Sequence, residues 1–111
     1  MALTYKNAGA ALGTSYATVY TCPADTAAVV TLAHAVNVDG TNSATVEAQW
    51  LDDSNADAAI RVGPVGLPVP AACGINILDN GPVNLEAGDQ FQAKASASGD
   101  IEITLSIIEI T

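Results

Sequence analysis

The sequence has few of the residues on which most enzymes and nucleic-acid-binding proteins depend. It contains one histidine, two cysteines, five aromatic residues and only three basic residues. Twelve acidic residues give the chain a net charge of −9. The phosphate backbone of a nucleic acid would repel such a chain, and anionic membranes are disfavoured for the same reason. We therefore expect neither nucleic acid nor a membrane among its partners.

Long apolar runs and targeting signals are also missing. No run reaches the roughly 18 apolar residues that a membrane span requires, and Met1–Lys6 lacks the charged and apolar regions of a secretory signal. We therefore expect synthesis in a cytoplasm, where a disulfide between Cys22 and Cys73 is disfavoured. Two buried free thiols are the simpler interpretation, although distant residues often meet in a sandwich. The two cysteines form no CxxC pair, which argues against a redox or zinc site.

Few patterns in the chain point to chemistry. His34 is the one candidate for the base of a triad, but it lies between two alanines and is more typical of an ordinary strand histidine. The segment Asp53–Asp57 places oxygen ligands at alternate positions, like the start of a calcium loop. The match ends there, because Ala58 stands where that loop needs glycine and Pro64 where it needs glutamate. We predict no catalytic, cofactor-binding or metal-ligating residues, no cofactor and no enzymatic activity.

What the sequence does contain is polar–apolar alternation between turn signals. Gln90–Ala97 and Ile101–Ile110 both alternate with a period of two, which is typical of half-buried antiparallel strands. Polar residues on such faces, including Gln49, Gln90, Gln92 and Thr104, would suit contact with carbohydrate. They suit the solvated face of a sheet equally, and that is the better default.

Six further strands are predicted, at residues 15–21, 27–38, 44–51, 58–62, 75–78 and 83–85. Residues 27–38 also show helical spacing, but β-branched Val29 and Val30 and the hairpin-like segment 38–43 favour a strand. The proline-containing segment 63–74 is predicted to be an extended, edge-type connection. A turn is predicted at Asp79–Pro82.

About eight strands without a convincing helix predict an all-β fold, an antiparallel β-sandwich, with a jelly roll as one possible topology. Residues 15–111 would form this single domain. Residues 1–14 show no periodicity and are predicted to be an N-terminal arm, either mobile or ordered against a neighbouring subunit. Alanine supplies 21 residues, which predicts a thin core, because an alanine side chain buries little apolar area. Association with copies of itself, or with a larger surface, would supply the missing burial.

The alternation changes phase near the end of the chain. Ile107 continues the odd-numbered apolar row, whereas Ile108 and Ile110 fall on even positions. A β-bulge near Ile107–Ile108 is one explanation. Burial of both faces of the last strand, one of them against a partner, is the other.

Several short segments follow one another in a familiar order: Tyr20–Ala24, Asn37–Gly40, Ala44–Trp50, Leu67–Pro70, Leu85–Asp89 and Ile108–Thr111. This order resembles small all-β virion proteins of tailed bacteriophages, which include capsid cement (decoration) proteins and neck or tail accessory proteins. The resemblance covers residues 16–111. Its motifs are turn and strand signatures without catalytic content, so they do not specify a position in the virion.

The resemblance implies a non-enzymatic virion component that is made in the cytoplasm of a bacterial host. A capsid cement protein would sit at junctions between major capsid subunits, often as a trimer, and stabilise the shell. We therefore expect the major capsid protein or other virion proteins as partners, and a homo-oligomer with a trimer favoured. Removing residues 1–14 should leave the fold intact and weaken attachment to the virion. The alternatives are a neck or tail accessory protein and, ranked below it, a receptor- or carbohydrate-binding module.

Overall fold

The computed structural model describes residues 1–79 and 81–111, and within them it shows nine strands and one short 3₁₀ turn at Asp53–Asn55. The strands are β1 (Leu3–Ala11), β2 (Ala17–Thr21), β3 (Ala27–Asn37), β4 (Ala44–Asp52), β5 (Ala58–Val69), β6 (Gly74–Asn76), β7 (Val83–Leu85), β8 (Gln90–Ala95) and β9 (Ile101–Ile110). Asn80, in the predicted turn at Asp79–Pro82, lies outside the described residues.

The strands form two antiparallel sheets. Sheet A has the order β1-β9-β3, and both β6 and β7 pair with the far side of β3. Sheet B has the order β2-β8-β4-β5. Because β6 and β7 occupy the same edge, each sheet has four strand positions, and the chain crosses repeatedly between the sheets in the manner of a jelly roll. The predicted all-β antiparallel sandwich is confirmed.

The core combines a row of large side chains on β9 with small ones on the strands beside and opposite it. Strand β9 contributes a row of large buried residues: Ile101, Ile103, Leu105 and Ile107. The strands beside and opposite it contribute buried alanines: Ala28, Ala33, Ala35, Ala44, Ala48, Ala93 and Ala95. Large residues packed against small ones allow two sheets to interdigitate without voids. The core is therefore thin, and it depends on a few large residues.

Strand β3 contains a bulge that changes which of its residues face inward. The register with β9 shifts between Val30 and Leu32, so that Thr31 is the extra residue. Val30 is buried, whereas Leu32 and His34 after the bulge lie on the outer face. Uninterrupted alternation along 27–38 predicts that Val30, Leu32 and His34 share one face, and this prediction is wrong, because the unpaired residue reverses the alternation.

Residues 3–11 lie in the sandwich as strand β1 and not apart from it. They pair with β9 at nine consecutive positions, from Leu3 opposite Ile110 to Ala11 opposite Glu102. The predicted N-terminal arm, residues 1–14, thus contains a strand that its lack of periodicity did not indicate, because backbone pairing along an edge requires no apolar alternation. Leu12, directly after β1, is only 2% exposed and belongs to the core. That the segment can reach a neighbour stays a prediction.

The strand that enters the proline-containing segment is also longer than predicted. Strand β5 continues without interruption from Ala58 to Val69, across Gly63, Pro64 and Pro68. It lies at the edge of sheet B, where a proline leaves no partner strand without a donor. Its edge position agrees with the prediction, whereas the predicted end of the strand at residue 62 was wrong.

Strand β9 has no bulge at Ile107–Ile108. Its burial alternates without a break to the end, so Glu109 occupies an inward position and Ile108 and Ile110 face outward. The extra residue lies instead in the neighbouring strand β3. The alternative interpretation, a last strand with an apolar outer face, agrees with the structure, while the partner it invoked stays a proposal.

Candidate assembly surface

One side of the sandwich presents two free strand edges. Strand β1 is the outermost strand of sheet A, and β2 is the outermost strand of sheet B on the same side. Among the described residues no strand pairs with the free side of either. Such an edge offers a row of backbone donors and acceptors with which another chain can pair.

The opposite side is less suited to pairing. Strand β5 carries Pro64 and Pro68, and Gly63 and Gly66 have positive φ angles, so its edge is irregular. Strands β6 and β7 are three residues long each. Prolines, irregularities and short strands are the usual protections against edge pairing. By contrast β1 contains no proline and pairs with β9 without a register shift.

Acidic residues are absent from the part of the sequence that forms this side. The first aspartate or glutamate of the chain is Asp25, so β1 and β2 contain none of the twelve acidic residues. Copies of a chain with a charge of −9 repel one another, and contact through an acid-free edge keeps the repelling charges far apart. The uneven distribution of acids therefore marks the β1/β2 side as the one best suited to contact.

An exposed apolar patch adjoins this edge on the outer face of sheet A. We call Leu3, Tyr5, Ile108 and Ile110 the outer patch. Leu3 pairs with Ile110, and Tyr5 pairs with Ile108, so all four side chains share one face. Tyr5 is 74% and Leu3 51% exposed. Apolar side chains clustered at one place on a surface mark contact sites more often than scattered ones do.

A polar cluster holds β1 to both sheets on the inner side of the same edge. Glu109 of β9 accepts a hydrogen bond of 2.5 Å from the hydroxyl of Tyr20 in β2. Its carboxylate also lies 3.3 Å from Nζ of Lys6 in β1. An inward carboxylate at an otherwise apolar position requires such partners. Because these partners hold Glu109 at an inward position, the cluster explains why the polar–apolar alternation of the sequence changes phase near the end of the chain.

The protonation states in this cluster are fixed by the same contacts. The hydrogen bond from Tyr20, assisted by Lys6, lowers the pKa of Glu109 below its ordinary value, although partial burial acts in the opposite direction. Burial and the Glu109 carboxylate raise the pKa of Tyr20, so the phenol keeps the proton that it donates. Glu109 is therefore ionised in the folded protein.

We expect Glu109 to make stability depend on pH. Because its pKa is lower when folded than when unfolded, its contribution is present above the ordinary glutamate pKa of about 4.3 and is lost as the pH falls below it. The free energy of unfolding of Glu109→Gln should therefore fall less steeply than that of the wild type between about pH 5 and 3. Denaturant titrations at each pH measure this slope.

Glu102→Gln is the matched control for that comparison. Glu102 lies on the same strand but is exposed on the outer face. This substitution should leave the slope close to that of the wild type. Equal slopes for the wild type and Glu109→Gln would contradict the assigned role of Glu109.

The outer face of sheet B carries a chain of polar contacts. Thr18 donates to Gln90 over 2.6 Å and accepts from Gln92 over 3.1 Å, and Gln49 donates to Gln92 over 2.6 Å. Arg61 then donates to Gln49. The glutamines that would suit carbohydrate contact are thus largely engaged with one another and with Thr18. Thr104 lies on the other sheet, so the four candidates do not form one site.

Two of the three basic residues gather at one tyrosine on this face. The Lys94 ammonium lies 4.8 Å and the Arg61 guanidinium 5.1 Å from the centre of the Tyr16 ring. Lys94 also lies 3.3 Å from the carboxylate of Glu47. These cations are held by the ring and by neighbouring polar groups. They do not form an open basic patch for an anionic partner.

The His34 ring lies against Gly74, the residue after Cys73, whereas Cys22 contacts Thr26 and Leu85. His34 is exposed on β3, Cys22 is buried after β2, and Cys73 is exposed before β6. Both thiols are free, but the expectation that both are buried was wrong for Cys73, because it lies in an exposed turn. Burial raises the pKa of the Cys22 thiol.

The acidic loop at Asp53–Asp57 is tied to the rest of the chain by hydrogen bonds. The backbone N–H of Asp53 donates to Asp89 over 3.0 Å, and Ser54 donates to Asp52 over 2.7 Å. Within residues 1–79 and 81–111 no group of three or more potential ligands could hold a metal ion. Over the same residues no helix is long and apolar enough to cross a membrane.

No family model matches the chain, and no curated protein matches it. Among solved structures, the fold is similar to that of a chain from Bacillus described in the words "Bacillus endospore appendages form a novel family of disulfide-linked pili". The TM-score is 0.57 at 12% identity, and the similarity covers 99% of this chain and 87% of that one. At this identity the similarity concerns the fold alone.

Two further chains are both described as a pentameric capsid protein isolated from metagenomic phage sequences. They match at TM-scores of 0.40 and 0.39, both with 17% identity and 91% of this chain covered. The chain spans 66% and 59% of their lengths. Similarities this weak add no argument about function.

Proposed function

We propose that the chain is a non-enzymatic structural subunit of a bacteriophage virion, and specifically a capsid cement protein. It would bind, as a trimer, at junctions between major capsid subunits. The observation that carries this proposal is the free, acid-free β1/β2 edge beside the exposed outer patch. Because the core is thin, burying further surface against other subunits would add to the stability of such a subunit.

A cement protein binds after the shell has formed, and this order of assembly favours a surface of this kind. A cement protein has to stay soluble until the shell exists, and a charge of −9 keeps free copies apart. It then has to bind through a part of its surface where that charge is absent. Strand pairing at β1 supplies hydrogen bonds, and Tyr5 and Leu3 supply apolar area.

Deleting residues 1–11 tests the role of this edge. The deletion removes β1 and its two outer-patch residues but spares Leu12, whose loss would create a cavity. Strand β9 would become the new edge. The fold should persist, because the apolar residues that β1 places on the inner face are half-buried alanines and Glu109, on losing Lys6, would keep its hydrogen bond from Tyr20. We expect binding to assembled shells to weaken about tenfold or more. Cosedimentation of the variant with shells measures this.

Leu12→Ala is the control, because it keeps the edge and damages the core. It should lower the free energy of unfolding by about 2–5 kcal/mol and leave shell binding of the folded protein unchanged. Undiminished binding by the chain that lacks residues 1–11 would contradict the proposal. The expectation that residues 1–14 can be removed with the fold intact and attachment weakened is narrowed to residues 1–11, since Leu12 is buried.

A pilus subunit is a second candidate, favoured by the fold shared with the Bacillus chain and by the exposed thiol of Cys73. A filament linked throughout by disulfides needs at least two accessible thiols in each subunit. Cys22 is buried and donates its S–H to the carbonyl of Thr26. Cys73 alone would join subunits only in pairs. Electrophoresis under non-reducing conditions distinguishes pairs from long covalent chains.

A further inference from the structure

The hydrogen bonds at the two ends of β1 show which of its backbone groups face the free edge. Ala2 and Thr111 exchange backbone hydrogen bonds of 2.9 Å in each direction, and the N–H of Leu12 donates to the carbonyl of Ile101 over 2.8 Å. The pairing between these points has no shift. Bonded and non-bonded pairs alternate in an antiparallel ladder, so the even-numbered residues of β1 bond to β9. The odd-numbered residues therefore direct their N–H and C=O groups away from the sandwich: Leu3, Tyr5, Asn7, Gly9 and Ala11.

These outward backbone groups are unpaired within the described part of the chain. Strand β1 pairs with β9 alone, and the hydrogen bonds of the turns and loops involve none of its odd-numbered residues. A row of alternating donors and acceptors in strand geometry is matched by the backbone of another extended segment. The occupant that fits this edge is therefore a β-strand.

The charge of the chain indicates where that strand comes from. Free copies carry a charge of −9 each and repel one another, whereas β1 itself has no acidic residue. A segment of another protein with basic residues at its flanks would be attracted by the net charge and would meet no acidic residue on β1. Lys6 does not oppose such a segment, because its side chain faces the other side of β1 from Tyr5 and is paired with Glu109 over 3.3 Å.

An open depression of about 420 Å³ lies beside the same strand on the outer face of sheet A. The side chains of this face that line it are Tyr5, Asn7, Thr31, Ser106 and Ile108. Thr31 is the extra residue of the β3 bulge, and its hydroxyl donates to the Ser106 carbonyl over 3.1 Å, so that its oxygen is left to accept. Tyr5 and Ile108 supply apolar surface. This lining suits a large side chain that has an apolar body and a hydrogen-bond donor at its tip, such as an indole.

We propose that an extended, basic-flanked segment of another protein adds to sheet A along β1 and places one large side chain in the depression beside Tyr5. This inference rests on the proposed function, and it names the kind of partner that the β1 edge takes. Pairing with the odd-numbered residues supplies affinity, and the depression supplies selectivity. Residues of the added strand that pair with Leu3 and Tyr5 share their face, so they extend the outer patch.

The synthetic peptide KTVTWTVTK is a suitable probe, because it alternates apolar and polar residues, carries lysine at both ends and contains one indole. In the free full-length chain, amide hydrogens of the odd-numbered residues from Tyr5 to Ala11 should exchange faster than those of the even-numbered residues between them. Adding the peptide should slow exchange at the odd-numbered residues about tenfold or more, as measured by NMR. The peptide KTVTATVTK, which lacks the indole, should bind about tenfold more weakly.

Two pairs of variants test the backbone edge and the depression separately. Asn7→Pro removes one outward N–H without breaking a bond to β9, and an edge strand tolerates proline where the N–H faces solvent. It should weaken binding of the indole peptide about tenfold or more, whereas Asn7→Ala keeps the N–H and should weaken it by less than about threefold. Ser106→Phe fills the depression and should erase the preference for the indole peptide. Thr104→Phe makes a similar change on the same face of β9 outside the depression and should retain that preference.

Three results would overturn the proposal. Unchanged exchange at the odd-numbered residues in millimolar peptide would show that the edge accepts no strand. Equal binding by the wild type and Asn7→Pro would show a contact that does not use the backbone of the edge. Slower exchange at these residues as the concentration of the chain alone rises would assign the edge to a second copy. A chain that cosediments with shells but fails these peptide tests would keep the proposed function and lose the strand-addition inference.

Discussion

Replacing Phe91 with alanine should lower the free energy of unfolding by about 3–5 kcal/mol. Phe91 is fully buried and lies on β8 between Tyr20 and Trp50, which are its partners in the register of sheet B. The three rings form one inward row at the same end of the sheet. The other buried residues of β8 are the alanines Ala93 and Ala95. They offer no side chain that could move into the space left by the ring.

The size of this effect follows from the thinness of the core. Domains of this size are stable by about 5–15 kcal/mol, so the loss would remove a large share of the total. Denaturant unfolding followed by Trp50 fluorescence measures it. Ile60→Ala is the control on the same face of the same sheet, since Ile60 is 49% exposed. It should cost less than about 1 kcal/mol. If Phe91→Ala also lowered the free energy of unfolding by less than about 1 kcal/mol, the core would have repacked around the missing ring.

Asn37→Ala should be the most damaging polar substitution, with a loss of about 2–4 kcal/mol. The side chain of Asn37 is 1% exposed at the end of β3. Its amide donates to the carbonyls of Asn42 and Val69 over 3.0 and 3.1 Å, and its oxygen accepts from the N–H of Asp39 over 2.9 Å. Alanine would leave all three backbone groups without these partners.

These contacts connect the β3–β4 loop to the end of β5, and therefore connect the two sheets. The variant should show both a lower unfolding midpoint and faster hydrogen exchange at the N–H of Asp39. Asn55→Ala, in the exposed 3₁₀ turn, is the matched control and should change stability by less than about 0.5 kcal/mol. Equal effects of the two substitutions would contradict the role assigned to Asn37.

The sequence predicts the sandwich well where alternation is unbroken. Strand β8 alternates from end to end, the sequence of β9 alternates as far as Ile107, and the buried faces of both follow the predicted pattern. Alternation fails as a guide where an extra residue intervenes, as at Thr31 of β3, because a bulge leaves no compositional mark of its own. It fails again for β1, whose stability comes from backbone pairing with β9.

The candidate assembly surface was visible in the sequence only in part. The absence of acidic residues before Asp25 can be read directly, but its meaning depends on β1 and β2 lying on the same side. Glu109 interrupts an apolar row, and this is a signal of an inward polar residue with partners. That those partners are Tyr20 and Lys6 could not be predicted, because both are distant in sequence and come from other strands.

The fold and the surface together explain how a small acidic sandwich can serve as a component of a larger assembly. The thin core leaves little reserve of stability, so burial of the outer patch in the proposed assembly would have a large relative effect. Negative charge elsewhere prevents association at the wrong surface. In the proposed function, solubility of the free subunit and adhesion in the assembly would arise from different parts of one chain.

The copy number of the chain in purified virions tests the central claim most directly. Quantitative mass spectrometry against the major capsid protein gives this ratio. A cement protein bound throughout the shell as a trimer predicts a ratio of about one to one, or about one to three. A low copy number would move the protein to the neck or tail and contradict the cement assignment. Complete absence from virions would contradict the virion proposal as a whole.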